Sequence, residues 1–193
     1  MEMHFSYGKQ ELDDKYCFLC GDYLFDESSV EHVFPKWLLR KYDLWHQKID
    51  LLNRSSIPYR QLTIPCCEKC NNEHLSRVEN EVSRNIKRGF EGAKDVPENT
   101  WYLWVAKIFY GVLRKEVSLA IDRSDSKKGN ILPDDVLTSF NNLHLFLQAF
   151  RGKHRFIGDV PYTVLLCNLH DIGDGFDFRD NLINSIVAIR MET

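Results

Sequence analysis

Apolar positions along the chain fall into a helical and a strand-like pattern. Leu75, Val78 and Val82 recur at i, i+3 and i+7, which predicts an amphipathic helix from about Asn72 to Phe90. It opens on Asn71 and Asn72, a residue type suited to capping a helix N-terminus. Gly89 to Pro97 breaks the pattern and reads as a linker. From Trp101 to Ala120 the apolar residues Leu103, Val105, Ile108, Phe109, Val112, Leu113 and Val117 cover two faces, which predicts a buried helix. The aromatic residues Trp101, Tyr102, Trp104, Phe109 and Tyr110 share that helical spacing, which fits core packing better than a platform for stacking bases. A polar loop, Asp122 to Asn130, follows. Leu132-Pro-Asp-Asp then starts a helix through Leu137, Phe140, Leu143, Leu147 and Phe150, which Gly152 ends. Tyr162 to Leu169 and Ile183 to Met191 are rich in β-forming residues and flank the turn-rich Asp171 to Gly175, which predicts an antiparallel strand pair.

Composition narrows the class. A chain of 193 residues with 44% hydrophobic and 12% aromatic residues fits one globular domain, or a small domain with an appendage. It excludes disordered and fibrous classes. No apolar run reaches the roughly 18 to 20 residues of a membrane span, because Lys107, Arg114, Lys115 and Glu116 interrupt the best stretch. The first residues lack a basic segment followed by an apolar one, so the expected compartment is the reducing cytoplasm. Disulfides are then a poor account of the six cysteines.

Five of those cysteines fall in two clusters, Cys17-Phe-Leu-Cys20 and Cys66-Cys67-Glu-Lys-Cys70. Two CxxC pairs can close a tetrahedral four-thiolate site, which makes Cys17, Cys20, Cys67 and Cys70 the expected ligands of a structural Zn²⁺. A thioredoxin-like redox pair needs only one such motif, opening a helix after a strand. Cys66 is either an alternative to Cys67, with a longer spacing to Cys70, or a packed thiol. Cys167, in an apolar run, is expected to be a buried small hydrophobe.

Between the knuckles, Glu31 and His32 adjoin in an extended segment that ends at Pro35. A carboxylate can hold a hard divalent cation while an imidazole takes a proton from water. The same pair also fits a surface glutamate followed by a half-buried histidine at a strand end. Asn71, directly after the second knuckle, offers an amide oxygen as a second ligand for such a cation. From His32 to Arg60 the chain is basic: Lys36, Arg40, Lys41, Lys48, Arg54 and Arg60 face only Asp43 and Asp50. Lys36, Arg40, Lys41 and Arg60 are therefore candidate phosphate contacts, and Arg151, Lys153, His154 and Arg155 form a second small basic cluster. The net charge of −3 weighs against tight unaided DNA binding and fits a protein partner that delivers the substrate.

The order Cys17-x2-Cys20, Glu31-His32-Val-Phe-Pro35, Cys67-x2-Cys70-Asn71 resembles the HNH endonuclease family of the ββα-metal superfamily, in the branch with two zinc knuckles. The likeness covers about residues 15 to 90. It implies an α+β fold in which residues 1–95 form a zinc-stapled HNH domain. Beyond the likeness, the periodicity predicts a mainly helical segment and a C-terminal antiparallel β pair in 96–193, a region expected to bind substrate or a partner. The likeness also implies a metal-dependent endonuclease acting on nucleic acid, with DNA ahead of RNA as the substrate. His32 would be the general base, and Glu31 and Asn71 would bind a catalytic Mg²⁺ or Mn²⁺. The chain departs from the family in having Glu31 where Asp is usual. It also lacks an Asn shortly before the second knuckle, leaving Gln61, Thr63 or Asn53 to orient the base. His74, on a similar helix face, could replace or supplement Asn71. The rival readings are a non-catalytic zinc module that binds nucleic acid or protein, and a thiol redox protein with no zinc.

Overall fold

The buried interior is organised around one helix. In the computed structural model, which describes residues 14–25, 30–122, 124–132, 136, 140–168, 175–181 and 186–191, that helix runs Glu98–Val117. It buries Trp101, Trp104, Phe109 and Tyr110 with Leu103, Ala106 and Ile108 between them, as a helix apolar on two faces must. The aromatic residues thus serve the core.

In chain order, strand β1 (Val30–His32) leads into α1 (Lys36–Lys41) and a small antiparallel pair, β2 (Lys48–Asp50) and β3 (Ser56–Pro58). Strand β4 (Thr63–Pro65) returns to pair antiparallel with β1, setting Val30 opposite Pro65, Glu31 opposite Ile64 and His32 opposite Thr63. The second knuckle continues into a wide π-type turn, Cys70–Leu75, and then α2 (Ser76–Ile86), which buries Val78, Val82 and Ile86. The predicted amphipathic face is therefore the buried one.

Three boundaries differ from expectation. Helical backbone already begins at Glu68, so Asn71 and Asn72 lie inside the first turns and do not cap them. Cys67 takes the cap's role, its Sγ accepting the Cys70 N–H at 3.4 Å. At the far end the helix stops at Ile86, and the expected linker holds a short helix, α3 (Gly89–Lys94). A Cβ on Gly92 would sit 2.1 Å from the Asn85 carbonyl, so glycine is what lets α3 fold back onto α2. The long helix above is then α4, and α5 (Asn141–Leu147) is extended by a 3₁₀ turn, Gln148–Arg151. Gly152 closes it in the left-handed region at φ 66°.

A C-terminal antiparallel pair is present, but its first member is β5 (Phe176–Asn181), paired with β6 (Ile186–Met191). Residues 171–174 of the expected turn lie outside the described residues. Residues 162–168 of the predicted first strand run as irregular chain, anchored by Tyr162, which stacks on Tyr102 at 3.9 Å and 9°. Leu165 is left 82% exposed, and Cys167 is exposed rather than buried. The alternation Phe176-Asp-Phe178-Arg decides the outcome: both phenylalanines pack edge-on against Phe34, at 5.9 and 5.1 Å. The class is thus mixed helix and small antiparallel sheets, as expected. One continuous core joins Phe18, Phe34 and Leu62 to Trp104, Ile108 and Phe150. Among the described residues no helix is long and apolar enough to cross a membrane.

Candidate functional site

The first knuckle is a tight hairpin. Tyr16 bridges Tyr23, Cys17 N–H donates to the Asp22 carbonyl at 2.9 Å, and Gly21 turns the chain at φ 77°. The second knuckle follows β4, and Phe18 N–H donates to the Pro65 carbonyl at 2.9 Å, so both loops meet at one end of the β1–β4 pair. There the sulfurs of Cys17, Cys20, Cys67 and Cys70 all lie within 4.8 Å of one another. Cys20 and Cys67 are 3.7 Å apart, close to the about 3.8 Å edge of a tetrahedron with 2.3 Å Zn–S bonds. These four thiols can hold a metal ion. Sulfurs this close compete for protons: hydrogen bonds from Cys20, Cys66 and Cys70 hold Cys17 far below the usual thiol range and push those three up. A bound cation relieves that competition, because it takes thiolates. Cys67, not Cys66, belongs to the set. Cys66 is fully buried beside it, with its thiol 3.5 Å from the Cys67 carbonyl.

Against this cluster stands the β1 strand. Asn71, held by its N–H to the Cys67 carbonyl at 3.0 Å, donates from its amide Nδ2 to the Val30 carbonyl at 3.3 Å. The knuckle's helix is thereby tied to the strand that carries Glu31 and His32. His32 is half-buried, with its ring stacked on Trp45 at 5.9 Å and 23°. Burial lowers its pKa below 6.5, helped by the charges of Lys36 and Lys107 and opposed by Glu79. Trp45 is the ring's neighbour. Asn53 is occupied elsewhere, donating to the Ala120 carbonyl at 3.2 Å and accepting from Ser55. His74 lies near Arg151, whose charge adds to burial in lowering its pKa.

Lys36, Arg40 and Lys41 are exposed on α1, directly after the His32 strand. Arg60 differs: its Nη1 donates to the Trp45 carbonyl at 3.1 Å and meets His46 Nδ1 at 3.1 Å, fastening the loop behind the His32 ring.

Two residues beyond the sequence motif complete the site. Glu31 is only 6% exposed, and its carboxylate is ion-paired with Lys107 of α4, itself 1% exposed. The Lys107 ammonium also reaches Glu79 Oε1 on α2 at 2.8 Å, the His32 carbonyl at 2.7 Å and the Val33 carbonyl at 3.2 Å. Burial alone would lower the Lys107 pKa, but the two carboxylates outweigh it and raise it, so the lysine stays charged. Two carboxylates around one ammonium leave the cluster one positive charge short. Burial accordingly pushes the Glu79 carboxyl up, with Lys107 opposing and Glu31 adding to the shift.

These contacts send the motif's residues to different partners: the His32 ring lies on Trp45, Asn71 donates to the Val30 carbonyl, and the Glu31 carboxylate is turned inward to Lys107. A carboxylate and an amide are donors of the kind a hard divalent cation takes, and such a cation would compete with Lys107 for Glu31. A lysine within an apolar helix was the sequence's signal for this arrangement. No family model matches the chain, and no match is found among curated proteins or solved structures.

Proposed function

We propose that the chain is a zinc-stapled, metal-dependent endonuclease of HNH type that hydrolyses phosphodiester bonds in nucleic acid, DNA in the first place. The observation that carries this reading is the Asn71–Val30 hydrogen bond. Through it, a helix fixed by the four-thiol cluster stands against the strand end that bears Glu31 and His32. Zn²⁺ in four thiolates has no open position and acts as a staple. His32, kept neutral by burial and its cationic neighbours, is the general base that takes a proton from the attacking water. Mg²⁺ or Mn²⁺ held by Glu31 and Asn71, with His74 as the alternative helix ligand, would offset charge on the phosphate and the leaving oxygen. Lys36, Arg40 and Lys41 provide phosphate contacts on the exposed face of α1 next to the base.

Nicking of supercoiled plasmid by the zinc-loaded protein, in Mg²⁺ or Mn²⁺ against EDTA, tests the reading beside His32→Ala. The expected result is metal-dependent nicking that the variant loses by a factor of about 10² to 10⁴, with zinc content unchanged. Wild-type protein inert on plasmid, single strands and RNA would instead favour the non-catalytic zinc module.

A further inference from the structure

We infer that Lys107 is a positioning residue for the strand-end site, an inference that rests on the nuclease reading above. Its ammonium has three protons and four acceptors, drawn from two other elements: the Glu31 carboxylate, the His32 and Val33 carbonyls where β1 ends, and Glu79 on α2. Glu79 lies two helical turns beyond Asn71 on one continuous helical run. One lysine therefore holds together the strand of the base and the helix of the amide ligand.

Stability is a poor reason for such a group. α4 is apolar around it, and a well-packed hydrophobic side chain usually stabilises a core as well as a buried ion network does. What the network supplies is placement and charge. Lys107 shares its ammonium between Glu31 and Glu79, so that neither takes it alone, and it fixes the Glu31 carboxylate from behind. One turn further along α4, Gly111 leaves room for Val33: a Cβ there would lie 2.6 Å from Val33 Cγ2. α4 thus meets the end of β1 at two successive turns.

Lys107→Met and Glu79→Gln in the full-length, zinc-loaded protein test the inference through three readouts: plasmid nicking with its Mn²⁺ dependence, the NMR signals of the His32 ring, and hydrogen exchange at the Val33 amide. That amide donates to the Leu62 carbonyl at 3.0 Å. Lys107→Met should lower kcat and raise the Mn²⁺ needed for half-maximal rate, each by about 10–100-fold. It should also shift the His32 signals and speed exchange at Val33 while zinc content stays constant. Glu79→Gln keeps the side chain's volume and leaves Lys107 paired with Glu31. It should raise the Mn²⁺ requirement about tenfold and move the His32 signals less than Lys107→Met does. An active wild type whose variants keep rate, Mn²⁺ dependence and His32 signals would overturn the inference and leave the nuclease standing. A wild type that cleaves nothing would remove the nuclease reading. The His32 and Val33 signals would then decide the clamp alone, unchanged signals in Lys107→Met overturning it. If Lys107→Met fails to fold, an unchanged Mn²⁺ requirement in Glu79→Gln overturns the inference.

Discussion

His32 owes its chemistry to what surrounds it. Desolvation comes first among the causes that lower its pKa, and the ammonium groups of Lys36 and Lys107 outweigh Glu79 in adding to it. A lowered pKa means that the neutral, proton-accepting ring persists to lower pH than a free histidine would allow. The acid limb of kcat/KM should therefore reach half its plateau below pH 6.5, and Lys36→Gln should move that limb upward; a pH–rate profile with half-maximum above 6.5 in the wild type would contradict this. The thiols allow a second test at the same scale. Cys67→Ser should lose the bound zinc, measured by metal analysis after gel filtration. Cys66→Ser should retain it and lose about 1 kcal/mol of stability, since Cys66 hydrogen-bonds beside the cluster without belonging to the four.

At the scale of elements, the helix–strand contact at Gly111 makes a prediction about packing. Alanine there would press on Val33 at 2.6 Å in a region with no slack, and such overpacking typically costs 1–3 kcal/mol. Gly111→Ala should lower the denaturation midpoint accordingly and, by displacing the end of β1, reduce nicking as well. An unchanged midpoint would show that Val33 can move aside freely. The elements also show what one sequence can disclose. The two CxxC spacings and the 3, 4, 7 periodicity of α2 are local patterns, and the thiol cluster and buried helix face follow from them directly. The Lys107 network is not local: the His32 carbonyl it binds is 75 positions away, so the sequence could flag a lysine in an apolar helix but not name its partners. β5 was missed for another reason. Its four-residue alternation of Phe and charge is shorter than the aliphatic run at 162–169, and it is Phe34 and Tyr42, distant in sequence, that make its face worth burying.

For the whole molecule, the question is whether the knuckles and the strand end could work without the chain that follows. The contacts tie the two parts together. α5 reaches back to the first knuckle, where His144 Nε2 donates to the Phe18 carbonyl at 2.7 Å and Gln148 Nε2 to the Leu19 carbonyl at 3.0 Å. α4 supplies Lys107 to the strand end and the apolar wall against which Phe18 and Val33 pack, at Tyr110 and Gly111. A protein cut after residue 95 would expose that wall's partners and strip Glu31 and Glu79 of the ammonium that holds the strand end to α2. Residues 1–95 alone should therefore bind zinc without a cooperative thermal transition. In the full chain, Gln148→Leu should cost about 1–3 kcal/mol by stranding the Leu19 carbonyl. Calorimetry on both proteins checks the pair. A sharp transition in the truncated protein would mean that the knuckle domain carries its own core, and that α4 and α5 merely rest against it.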